Sequence, residues 1–138
     1  MYRDDIIVDA ASVSIVCEAT RPDGSELTAA DIPALKTYVC SRLARSSMAG
    51  MANARAWDFD EAGFFLDFSV ETTTYVEPAT YDYPGASYSE DGHIEDVVRQ
   101  TARDLVGILN GGEFKITYEL GPSDIKIETS EYEPDYDD

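Results

Sequence analysis

Basic residues are scarce in this sequence: ten lysines and arginines and one histidine stand against 28 aspartates and glutamates, a formal charge of −18 at pH 7. That deficit argues against direct binding to nucleic acid, which needs a basic patch and releases counterions from phosphates. It disfavours anionic membranes for the same reason. Cysteine is nearly absent too. Cys17 and Cys40 are too few for a disulfide scaffold and read most simply as buried thiols. No apolar run is long enough to span a membrane. The charged Met1–Asp5 stretch lacks the pattern of a secretion signal. The expected compartment is the cytoplasm, that of the host if the protein is viral.

Catalytic parts are equally thin. The sequence has no Gly-x-Ser-x-Gly elbow, phosphate-binding glycine loop, His-Glu-x-x-His or Cys-x-x-Cys. His93, at the start of an expected helix, reads as a surface or capping residue. Cys17, Cys40 and His93 could form a nucleophile and base only if Cys17 left the core side of its strand. A non-enzymatic protein without cofactor or metal is the expectation.

What is present is enough for one core: 43% hydrophobic and 11% aromatic residues over 138 positions. Ala11, Val13, Ile15 and Cys17 alternate with Ser12, Ser14 and Glu18, a strand pattern. Ile6–Val8 precede it with unclear parity, which implies a bulge near Ala10–Ala11 or two short strands. Arg21–Ser25 is a turn. Thr28 or Asp31 caps a helix that carries Ile32, Leu35, Val39 and Leu43. Trp57 and Phe59, then Phe64, Leu66, Phe68 and Val70, alternate around Glu61–Gly63 as a β-hairpin. Residues 77–92 read as a long loop. A second helix, starting near Ser89 or Asp91, carries Ile94, Val98, Leu105 and Leu109 up to Gly111–Gly112. Phe114–Leu120 and Ile125–Ile127 are two last strands, the second one short.

The order is β-α-β-β-α-β-β. It predicts an α+β domain over 1–129, an antiparallel sheet with two amphipathic helices on one face, and an acidic tail over 130–138. A ferredoxin-like core with an extra strand is one arrangement that fits. Such a fold leaves function open.

The distribution of charge says more than its total. No lysine or arginine occurs from Ala56 to Val98, which holds eleven acids, or from Ile127 to Asp138, which holds six. Tyrosines accompany them. The bases gather elsewhere, as in Arg42, Arg45, Arg99 and Arg103. Glu95 and Asp96 are spaced to pair with Arg99 on a helix. Asp58 and Asp60, of one parity on a strand, would point the same way, although the surplus of acids makes such pairs common.

The expected partner-binding residues are Asp58, Asp60, Glu61, Glu77, Tyr81, Asp82, Tyr83, Tyr88, Glu90, Asp91, Glu131, Tyr132, Glu133, Asp135, Tyr136, Asp137 and Asp138. They suit a basic protein surface that normally grips nucleic acid: carboxylates stand in for phosphates, and tyrosines supply contact area at low entropic cost. This is the composition of a nucleic-acid mimic, as in inhibitors of nucleases, restriction enzymes or CRISPR effectors. Two alternatives stay open. One is a structural, self-associating subunit of a viral or other assembly, such as a phage tail or connector. The other is a metal-dependent enzyme using surface carboxylates. A general high-salt adaptation would also give such a charge, but fits its clustering less well.

Overall fold

A computed structural model describes residues 5–77, 82, 85–89 and 92–132. In chain order the elements are β1 (Asp5–Thr20), α1 (Ile32–Met48), β2 (Ala54–Trp57), β3 (Gly63–Glu77), β4 (Ala86–Ser89), α2 (Ile94–Leu109), β5 (Lys115–Tyr118) and β6 (Ile125–Tyr132). The protein is α+β, with one antiparallel sheet and two helices.

β1 and β3 are its axis. They pair antiparallel without a break from Asp5 opposite Val76 to Glu18 opposite Gly63. β2 pairs with the first part of β3, and β5 with the end of β1, giving the order β2-β3-β1-β5. All these pairings are antiparallel, which is the order and direction of a ferredoxin-like core. β4 then extends the free edge of β3, and β6 that of β1.

The period-two pattern decides which face is covered. Ala11, Val13, Ile15, Cys17 and Ala19 are buried, as are Phe64, Leu66, Phe68 and Ile116 from the neighbouring strands and Phe114 just before β5. Leu35, Val39 and Leu43 of α1, and Ile94, Val98, Leu105 and Leu109 of α2, close over them at helical spacing. Both helices therefore lie on one side of the sheet. They pack chiefly on β1, β2, β3 and β5, and on each other.

Polar side chains secure the end of α2. Tyr38 Oη donates to Leu109 O at 2.8 Å and Arg42 Nη1 to Ile108 O at 3.0 Å. They satisfy carbonyls that a helix end leaves open, and the guanidinium sits where the helix dipole is negative. Asn110 then behaves as a short strand. Its Nδ2 donates to Ile116 O and its Oδ1 accepts from Ile116 N, both at 2.8 Å. Asn110→Ala leaves both backbone groups of buried Ile116 without this partner. A loss of about 2 kcal/mol is expected, read as a lower urea midpoint with an unchanged slope.

Several expected details change. β1 has no bulge against β3: Ala10 and Ala11 stay in register, because small residues fit either face of the pleat. β2 ends at Trp57, and Asp58 takes a left-handed φ of 57°. Phe59 is thus in a turn and stacks on Phe64 at 5.3 Å between centroids. Ser89 belongs to a strand, and α2 begins at Ile94, with His93 Nδ1 accepting from Glu95 N. Residues 86–89, read as loop, form β4. The last strand reaches Tyr132 and so takes in the first residues of the expected tail. Among the described residues the ion pair is Arg21–Asp31 at 3.0 Å, and Glu95 and Asp96 do not pair with Arg99. No helix is long and apolar enough to cross a membrane among the described residues.

Candidate functional site

With the helices on one side, every second strand residue faces the other side, and the register aligns these residues in cross-strand rows. At one end Tyr75 and Ile6 share a row, and Tyr88 and Tyr132 hold the matching register positions on the flanking strands. Next but one comes Glu71–Ala10–Glu128, then Ser69–Ser12–Lys126, then Arg55–Asp67–Ser14. Then comes Trp57–Phe65–Val16, with Gly63–Glu18–Thr117 beyond it. From Ile6 to Val16 this open face runs about 33 Å at roughly 3.3 Å per residue.

The Tyr-row end is the acidic one. Residues 5–11, 70–77, 86–89 and 127–132 build it from four strands. They carry Asp5, Asp9, Glu71, Glu77, Glu128 and Glu131 and no lysine or arginine. The two base-free parts of the sequence are thus flanking neighbours of the first half of β1. Glu71, Glu128 and Glu131 are exposed, and Asp9 accepts the Thr129 hydroxyl at 2.6 Å. Charge also divides between the layers. The two helices hold five bases and three acids, and the rest of the chain holds five bases and 25 acids.

The expected binding residues separate into groups. Glu77 and Tyr88 lie on paired strands at the acidic end, as do Glu131 and Tyr132. Asp82 is exposed near this end of the chain's path between β3 and β4. Asp58, Asp60 and Glu61 form the β2–β3 turn at the opposite end of β3, about 45 Å away along a strand rising roughly 3.3 Å per residue. They do not join the others. Nor are Asp58 and Asp60 a pair on a strand. Asp60 Oδ1 accepts from Ala62 N at 2.8 Å and Gly63 N at 3.0 Å, which organises the turn. Tyr81, Tyr83, Glu90, Asp91, Glu133, Asp135, Tyr136, Asp137 and Asp138 lie outside the described residues.

Other acids also serve the backbone. Asp23 Oδ1 accepts from Ser25 N and Oγ, Asp31 Oδ2 from Thr28 N, and Asp124 Oδ2 from Gly121 N. The Ser25 hydroxyl bond holds Asp23 below the usual carboxylate range, and the Thr28 amide does the same for Asp31. These carboxylates are turn and cap residues first.

The sequence pattern sets Phe65 off the core face but does not assemble the row at the other end. Trp57 and Phe65 stack at 4.8 Å with an interplanar angle of 21°, and Trp57 Nε1 donates to Asp67 Oδ2 at 2.9 Å. Val16, opposite Phe65, is 56% exposed. A signal was available: Val16 and Phe65 share parity with serines and acids rather than with the core.

Cys17 is buried, and burial pushes its thiol up to about 12. Cys40 is exposed on α1, so only one of the two thiols fits the expected core role. At about pH 8 a Cys17 thiol stays protonated and enclosed. A thiol-specific reagent should therefore modify one cysteine per folded chain, and none in Cys40→Ser until denaturant is added. Among the described residues, no group of three or more His, Cys, Asp or Glu is placed to hold a metal ion. Comparison with protein-family models, curated proteins and solved structures finds no match for this chain.

Proposed function

We propose that this protein is a non-enzymatic acidic binding protein that occupies a basic, nucleic-acid-binding surface of a partner. An inhibitor that mimics nucleic acid, directed at a nuclease or a host-defence complex of the restriction or CRISPR kind, is the class this describes. One observation carries the reading: β1 gathers the two base-free segments at one end of the sheet, where Tyr75, Tyr88 and Tyr132 hold one register row and the described strand segments contain no lysine or arginine. Carboxylates there would steer a cationic surface inward, and tyrosines would supply contact area. Arginines of the partner can both pair with carboxylates and stack on rings.

The test is retention of basic proteins from a lysate on immobilised protein at low and high salt. Charge-driven retention falls steeply as salt rises, because exposed charges are screened over about 10 Å at 0.1 M. Retention of no basic protein at low salt, or retention indifferent to salt, overturns the reading.

A second reading, a self-associating structural subunit, draws on the row of exposed Val16 and Trp57 with half-buried Phe65 between them. Light scattering decides it: a monomer at high concentration removes it.

A further inference from the structure

We infer that the Trp57–Phe65–Val16 end of the open face is an anchor for an arginine-bearing segment of the basic partner. The inference rests on the function proposed above and adds a contact that the acidic end does not contain.

The row is apolar where the fold gives no reason for it to be. Helices cover the opposite face, so nothing in the described chain buries Val16, and Trp57 stays 37% exposed although it stacks on Phe65. Isolated apolar residues on a surface are ordinary, but three from adjacent strands in one row form a patch. Trp57 is held in place from both sides: Asp67 accepts its indole N–H, and Ser14 Oγ donates to the other oxygen of Asp67 at 2.6 Å. An exposed tryptophan fixed by a second layer of bonds is a preformed contact, which costs little entropy to use.

The surroundings select the occupant. Beside Val16 opens a cleft of about 460 Å³, lined by Val16, Glu18, Thr117, Tyr118, Glu119 and Asp124, with three acids and no base. The turn that follows Trp57 adds exposed Asp58 and Glu61. Three bases are near: Arg55, opposite Asp67 in the next row, Lys126, which lines a cleft with Arg55, Asp67 and Asp124, and Lys115, opposite Thr20. Acids still outnumber bases around the row. A guanidinium fits this combination better than an ammonium. It is planar and weakly hydrated, stacks on aromatic rings and forks onto carboxylates, while its aliphatic stem can lie on Val16. A second copy of this chain fits poorly, since each copy brings a formal charge of −18 to the contact. The row also shares its face with Glu71 and Glu128 of the acidic end, so one elongated basic surface could touch both.

Trp57 is the chain's single tryptophan, so its emission reports on this row alone. The experiment titrates the full protein with an arginine nonapeptide, then a lysine nonapeptide, at low salt, following binding by calorimetry and Trp57 by fluorescence. The expected result is a saturable change in Trp57 emission that is larger with arginine. Val16→Lys should abolish that change and weaken arginine-peptide binding about tenfold, the scale of one good contact. The double variant Glu18→Gln with Glu119→Gln should weaken it similarly, and it leaves the apolar row untouched. Circular dichroism checks that each variant is folded. Salt-sensitive binding with Trp57 unmoved, or unaffected by these variants, overturns this anchor and leaves the proposed function standing. Absence of any salt-sensitive binding to either peptide overturns both. A dimer that Val16→Lys dissociates overturns the anchor in favour of self-association.

Discussion

Gly63→Ala is expected to cost the fold about 4 kcal/mol, the sum of backbone strain and forced overpacking. Gly63 opens β3 at a φ of 152°, and a Cβ built there would stand 1.8 Å from the carbonyl oxygen of Cys17. That oxygen belongs to the central strand and cannot move aside without breaking the ladder from Cys17 onward. Small domains have only about 5–15 kcal/mol in total, so the variant should melt far below the parent. Gly24→Ala is the control. It shares a left-handed φ, 87°, but has nothing within 4 Å. Its cost should be roughly 1–2 kcal/mol, from conformation alone. Equal urea midpoints for the two variants would show that close approach to Cys17 is not what demands glycine at 63.

Reversing three charges at the acidic end should have the largest effect on binding. Glu71, Glu128 and Glu131 are exposed, lie on paired strands and hold no structural hydrogen bond among the described residues. Glu71→Lys, Glu128→Lys and Glu131→Lys together should leave the melting temperature nearly unchanged. Association with a cationic peptide, measured by stopped flow at low salt, should slow by about a hundredfold, within the range over which steering changes on-rates. Dissociation should change less, since charges at a rim act mostly on encounter. Equal slowing by three reversals on the helices would instead mean that total charge alone sets the rate.

Much of the fold is legible in the sequence because burial imposes periodicity. Ala11 to Cys17 alternate since helices cover one side of β1 only, and Leu35, Val39 and Leu43 recur because α1 buries one stripe. What is hidden depends on pairing with distant residues. Ala86–Ser89 has no hydrophobic alternation and becomes a strand by adding to the free edge of β3. Ser130–Tyr132 reads as tail and is held by Ile6–Val8 at the other end of the chain. At the site, the sequence located the acids but not their grouping. Asp58, Asp60 and Glu61 fall within the same base-free stretch as Glu77, yet a fifteen-residue strand separates them. Asp60 looked available and is a turn acceptor. The parity of β3 sets Phe65 off the core face, but only the register of β2 against β3 puts Trp57 beside it on the uncovered side.

The pairing of β1 has a consequence for biogenesis. Its apolar residues leave the ribosome before the partners that flank it, which come 45 to 126 positions later: Glu18 meets Gly63, and Ile6 meets Tyr75 and Tyr132. Contacts of such sequence separation slow folding, because loop entropy must be spent before any pairing is gained. The nascent chain therefore carries β1 with an open edge until β6 has been made. The same high density of acidic charge that disfavours self-contact between finished molecules would keep those waiting edges apart on neighbouring ribosomes.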